Sequence, residues 1–182
     1  LTLFPYTTLF RSLVMQLVER FDATSDERVK RSAELIMSGV SSPDAMETLA
    51  AIVTDPLNGM TDPIVAAAAQ ALAQSANAPS VDTLLQKMNI SADSGDTKTI
   101  GELISSISSP SAESALIYAA RGNKLAASPN VRLAAVRALA NFPTAESIEV
   151  LRRLEQDSDP VIQAAAKDTV RRMQGERSPQ PQ

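Results

Sequence analysis

The chain has 182 residues, a formal net charge of −4 and 44% apolar residues, with neither Cys, His nor Trp. Disulfides and thiolate or imidazole metal sites are thereby excluded, and the commonest general base is missing. A core so poor in aromatics has to be built from Ala, Leu, Ile and Val at close range, which favours helices over sheets, and no apolar run approaches the ~20 residues that cross a bilayer.

The opening stretch, LTLFPYTTLFRS at Leu1–Ser12, differs in character from the rest of the chain. It holds Phe4, Tyr6 and Phe10, half of the aromatics of the whole chain. It has neither a helical nor an alternating period, and it lacks the basic start and long apolar run of a signal peptide. From Thr2 onward its letters are those of a common sequencing adapter translated codon by codon. The expectation is a read-through leader over residues 1–12, fused to a fragment truncated at its own start. No signal peptide or anchor is then readable, and the residues assign no compartment.

From Leu13 the chain repeats itself. LVMQLVERF at Leu13–Phe21 is a first helical stripe, and five segments then align: DERVKRSA from Asp26, DPIVAAAA from Asp62, DTKTIGEL from Asp96, SPNVRLAA from Ser128 and DPVIQAAA from Asp159. An Asp or Ser before an apolar run is an N-cap, accepting from the orphan N–H groups of the first turn. A second series at Pro43, Pro79, Pro110 and Pro143 opens the intervening helices, where Pro loses a donor that has no partner anyway. Val131, Ala135, Ala138, Leu139 and Phe142 recur as one helical stripe, and Ile162, Ala166, Val170 and Met173 repeat it one unit later. Leu151 and Leu154, with Ile148, and Val81, Leu84, Leu85 and Met88 stripe the helices between. Each unit is therefore an antiparallel pair, helix A then helix B. A pair of this size cannot bury its stripe alone, so the pairs must stack, with Ala69, Ala135 and Ala166 at the close contacts.

The unit resembles the HEAT repeat, whose second helix begins Asp-Pro-x-Val-Arg-x-x-Ala; Ser128–Ala135 comes nearest, and the segment from Asp96 departs most. The fold class predicted is all-α: a solenoid of about five stacked antiparallel helix pairs over residues 13–174, followed by a disordered polar tail at 175–182. Proteins similar in this way mostly scaffold or bind other macromolecules, so the resemblance implies a protein-binding scaffold or adaptor holding its partner on the concave face of the B helices. The alternatives are a non-catalytic spacer of a larger protein, or an enzyme akin to bilin lyases or DNA glycosylases. The missing Trp speaks against a glycosylase, and nothing marks a tetrapyrrole pocket.

The charges shape the partner expected. Ser12 to Ala120 carries six Lys/Arg against 14 Asp/Glu, whereas Arg121 to Arg177 carries ten against seven. On the last two B helices Arg132, Arg137, Lys167 and Arg171 lie off the apolar stripe, and stacked helices would gather them into one basic patch for a protein partner with an acidic segment. In HEAT-like units the residue at the place of Arg132 bonds an Asp of a neighbouring turn, which makes Asp157 its expected partner. Nucleic acid is not expected, nor a catalytic residue, cofactor or metal. Asp93 and Asp96 lack the ligand pattern of a calcium loop, and Asp96 reads as the cap of the next helix. The loop Asp55–Asp62 is longer than its counterparts and is a second place where binding could sit.

Overall fold

The computed structural model describes residues 43–55, 57, 59–75, 77–91, 94–122 and 128–175. The expected leader, the helix pair expected around Leu13–Phe21 and Asp26–Ala33, and the tail expected beyond Gly175 lie outside the described residues. Within them the chain forms eight α-helices and no strand: α1 (Pro43–Thr54), α2 (Pro63–Ser75), α3 (Ala78–Ile90), α4 (Ser94–Ser106), α5 (Glu113–Ala120), α6 (Pro129–Ala138), α7 (Ala145–Leu154) and α8 (Pro160–Met173). Short 3-10 turns precede α5 at Pro110–Ala112 and follow α6 at Leu139–Asn141. No described helix is long and apolar enough to cross a membrane.

The capping residues act as their chemistry requires. Asp62 Oδ1 accepts from Ile64 N at 2.8 Å, Ser128 Oγ from Asn130 N at 3.2 Å and Asp159 Oδ1 from Val161 N at 2.8 Å, each just before a Pro at the first helical position. The A helices vary this theme. Asn77 caps α3 through Ser80 N at 2.9 Å, with Pro79 one place inside. Thr144 caps α7 through Ser147 N at 3.1 Å, with Pro143 just outside. At the far end α8 stops at Met173, and Gly175 takes φ +74°, the left-handed turn that Gly permits without steric cost.

Helices α1 and α2, α3 and α4, α5 and α6, and α7 and α8 pack as pairs, and the pairs stack in two layers. The A helices α1, α3, α5 and α7 form one layer and the B helices α2, α4, α6 and α8 the other. One continuous core runs between them, including Leu49, Leu72, Leu84, Ile104, Leu116, Leu139, Leu151 and Ile162. Val131, Ala135, Ala138, Leu139 and Phe142 are all buried in it, as are Ala69 and Ala166. Helix α6 packs broadly against both α4 and α8, whereas α5 and α7 meet over a much smaller contact.

The third unit corrects the sequence alignment. Helix α4 begins at Ser94, ahead of Asp96, so Asp96 lies inside the first turn and is not the residue before the helix. Its buried carboxylate reaches the preceding unit instead, Oδ1 accepting from Met60 N at 2.9 Å. The reason lies in the stripe. Counted from Ser94, the seventh and eleventh residues are Ile100 and Ile104, both buried, and they match Ala135 and Leu139 of α6. Counted from Asp96, the apolar residues fall on the wrong face.

At the seventh place of α6, Ala135 is fully buried between helices. Ala135→Leu forces extra methylenes into that contact and is expected to cost about 1–3 kcal/mol, whereas Ala164→Leu on the exposed side of α8 should change stability by less than ~0.5 kcal/mol. Urea melts of the two variants separate these outcomes, and equal effects would contradict the stacked packing.

Candidate functional site

The four basic residues singled out by the sequence do not form one patch. Arg132, the fourth residue of α6, points into the turns between helices. Its Nη2 donates to Asp157 Oδ2 at 2.6 Å, Nη1 lies 3.4 Å from Oδ1, and Nε donates to Ala120 O at 3.3 Å. The side chains are only 18% and 13% exposed. Gly122, with φ +85°, supports this arrangement from below: a Cβ there would stand 3.2 Å from Arg132 Nε. The guanidinium hydrogen bond, helped by the Asp159 N–H at 2.9 Å, holds the Asp157 carboxyl below its ordinary range against the opposing effect of burial. Arg132 therefore joins the turn of its own unit to the turn of the next, in the pairing expected for a HEAT-like unit.

Lys167 and Arg171 are exposed on α8, where they take the eighth and twelfth places of the helix. In α6 and the 3-10 turn that continues it, the same places hold Val136 and Ala140; Val136 is fully buried, and its carbonyl faces Thr169 Oγ1 of α8 at 3.5 Å. In α6 the eighth residue thus lies on the flank turned toward its successor α8. Lys167 and Arg171 occupy the outward flank of α8, on the side away from Arg137.

Arg137 is the residue of the set that faces an opening. The α4/α6 groove has a volume of about 760 Å³; Lys98, Glu102, Ser105, Leu133 and Arg137 line its walls, and Met88 and Ser91 also border it. The α6/α8 groove, about 480 Å³, is lined by Leu133, Arg137, Val161, Ala165, Asp168 and Arg172, among others. Leu133 and Arg137 belong to both, so the two grooves adjoin along α6. Asp168 and Arg172 are ion-paired at 3.2 Å along α8. The surface is consequently of mixed sign.

Lys98, Glu102 and Leu133 are the site residues that the sequence reading missed. Their signal was present: counted from the first helical residue, Lys98 and Leu133 are both fifth, and Glu102, Arg137 and Asp168 are all ninth. The alignment from Asp96 hid it.

The loop after α1 is tied at both ends by the next unit. Lys87 Nζ, on a buried side chain of α3, donates to Asp55 O at 3.2 Å, and Asp96 holds Met60 N. Between these ties Leu57 stands 91% exposed. Among the described residues no group of three His, Cys, Asp or Glu could hold a metal ion.

Residues 113–181 match the family of HEAT repeats, and a comparison with curated proteins found no match. The match begins with α5 and includes Arg132, Arg137, Lys167 and Arg171. That part of the chain is similar to HEAT repeats, a type of unit that generally mediates protein interactions and is generally non-catalytic.

Because the folded Asp157 carboxyl titrates below its unfolded value of about 3.9, the stability it contributes is complete above that value and is lost as pH falls through the folded one. Arg132→Ala, which leaves the half-buried carboxylate without its donor, should cost about 1–3 kcal/mol at neutral pH. Asp157→Asn should differ most from the parent at neutral pH and converge on it under acid. Chemical melts across pH check both, and a pH-independent gap would remove Asp157 as the titrating group.

Proposed function

We propose that this HEAT-repeat stack is a protein-binding scaffold that holds a segment of its partner on the face of the B helices, across α4, α6 and α8. The observation that carries this reading is the pair of adjoining grooves that share Leu133 and Arg137. Their apolar part, Leu133 with Val161, Ala164 and Ala165, offers area to bury; Val161 is 55% exposed, and burying such surface stabilises by about 25 cal/mol per Å². The charged and hydroxyl groups around it supply orientation. The close packing of α6 against both neighbours, set beside the smaller contact of α5 with α7, supports a bend toward the B layer between α4 and α8, as a concave B face would require.

The shape of the openings favours binding over catalysis. Both are grooves, and among the described residues each is bordered by one carboxylate, Glu102 in the first and Asp168 in the second; Asp168 is engaged by Arg172. Paired acid–base catalysis by carboxylates requires two such groups held around one reacting centre. A passive spacer, in turn, gives no reason for an exposed Arg137 at the junction of two grooves. The acidic segment expected of the partner finds its counter-charge in Arg137, with Lys98 beside it.

A photo-cross-linking residue placed at Val161 should capture the partner, whereas the same residue at Tyr118, 60% exposed on the A layer, should not. Arg137→Glu should reduce capture from the Val161 position by about tenfold at low salt, with helicity retained by circular dichroism. Capture from Tyr118 alone would move the docking surface to the other layer.

A further inference from the structure

We infer that the α4/α6 groove holds an anchor pocket for one tyrosine side chain of the protein partner, received by Gly101, Met88 and Ser91. This deepens the scaffold reading and rests on it. Gly101 is the eighth residue of α4, the place at which α6 buries Val136 toward α8. Between α4 and α6 the stack thus omits a side chain that it supplies between α6 and α8. Neither backbone nor packing asks for this Gly. Its φ is not positive, and outside its own helix a Cβ there would meet Met88 Cε alone, at 3.4 Å, a contact that a flexible thioether accommodates. Gly also weakens a helix interior relative to Ala. What it provides is depth. The groove, about 760 Å³ in volume, reaches across to the other layer, to Met88 of α3 and to Ser91, which caps that helix.

The floor so reached fixes the chemistry of the occupant. Met88, with Leu133 and Ala134 on the walls, offers apolar surface, and a thioether packs well against an aromatic ring. Ser91 stands three residues after Met88, on the same side of the chain. Its N–H donates to Lys87 O, but among the described residues its buried Oγ has no hydrogen-bond partner. A buried hydroxyl left in that state calls for one. Leu or Phe would fill the gap and leave Oγ unpaired, and a charged side chain would lay its charge on Met88 and Ala134. Tyr combines a flat apolar body with a hydroxyl at its far end that both donates and accepts. At the rim, Lys98 and Arg137 outnumber Glu102, so the mouth is net positive among the described residues. That sign suits a tyrosine set in an acidic segment.

The test uses the full chain with methyl-labelled methionine and two soluble probes, N-acetyl-tyrosinamide and N-acetyl-phenylalaninamide. The Met88 methyl resonance, assigned through Met88→Leu, should shift saturably with the tyrosine probe, and the phenylalanine probe should bind about fivefold more weakly. Ser91→Ala should bring the two affinities together. Gly101→Val, its helicity checked by circular dichroism, should abolish the Met88 shift, and Gly101→Ala should raise the urea midpoint because packing does not require Gly. No Met88 shift, equal binding of the two probes to the parent chain, or a preference that Ser91→Ala leaves intact overturns the pocket. So does undiminished binding to Gly101→Val, or a lowered midpoint for Gly101→Ala. If cross-linking from Val161 still captures a partner in that event, only the tyrosine pocket falls; if it does not, the scaffold reading falls with it.

Discussion

Close contact between neighbouring helices of one layer is the constraint on which the remaining structure depends. A chain without Trp and with few other aromatics reaches interior density only if its backbones approach one another, and Ala69, Ala135 and Ala166 permit that approach by offering a single methyl at the buried seventh place. In α4 the same place holds Ile100, and Gly101, next to it, sits 3.4 Å from Met88 Cε for any Cβ added there. Small side chains on the flank turned toward the following helix leave shallow valleys between successive B helices. The grooves are thus by-products of the packing, and the residues exposed in them are those the core does not use.

Polar groups serve a second purpose, joining one unit to its neighbour. Glu113 at the start of α5 accepts from Thr144 and from Ser147 Oγ at 2.7 Å. Asn141 after α6 donates to the carbonyls of Ser105 and Ile107 at 2.9 and 2.8 Å. Lys87, Asp96 and Arg132 reach turns in the same way. Most of these ties end on a backbone group that a helix terminus or turn leaves unpaired, and each links a unit to an adjacent one. Cohesion in such a stack is a sum of nearest-neighbour terms, and the ties supply the directional share of it.

Much of this was legible in the residues. Caps at Asp62, Ser128 and Asp159 mark helix starts because an oxygen just before an apolar run has few other uses, and the stripe through Val131 and Ala135 names the buried face directly. The pairing of Arg132 with Asp157 followed from the resemblance of one short motif. The third unit misled because Asp96 imitates a cap while its carboxylate serves another unit's backbone, a role fixed by contacts 36 residues apart in sequence. The supposed basic patch failed for a related reason. Being off the apolar stripe leaves more than half the circumference of a helix open, and only the helical count separates the groove-facing ninth place of Arg137 from the flanking eighth and twelfth places of Lys167 and Arg171.

Those two flanking cations bear on self-association. A repeat stack is an open, head-to-tail arrangement, and any flank built to receive the next unit can equally receive a second molecule, a geometry that grows into fibres because it does not close. Where α6 offers Val136 and Ala140 to its successor, α8 offers Lys167 and Arg171. A second copy adding at that flank would have to strip both ammonium and guanidinium groups of water, with no counter-charge assured. Lys167 and Arg171 thereby raise the cost of burying that flank of α8 against an apolar surface.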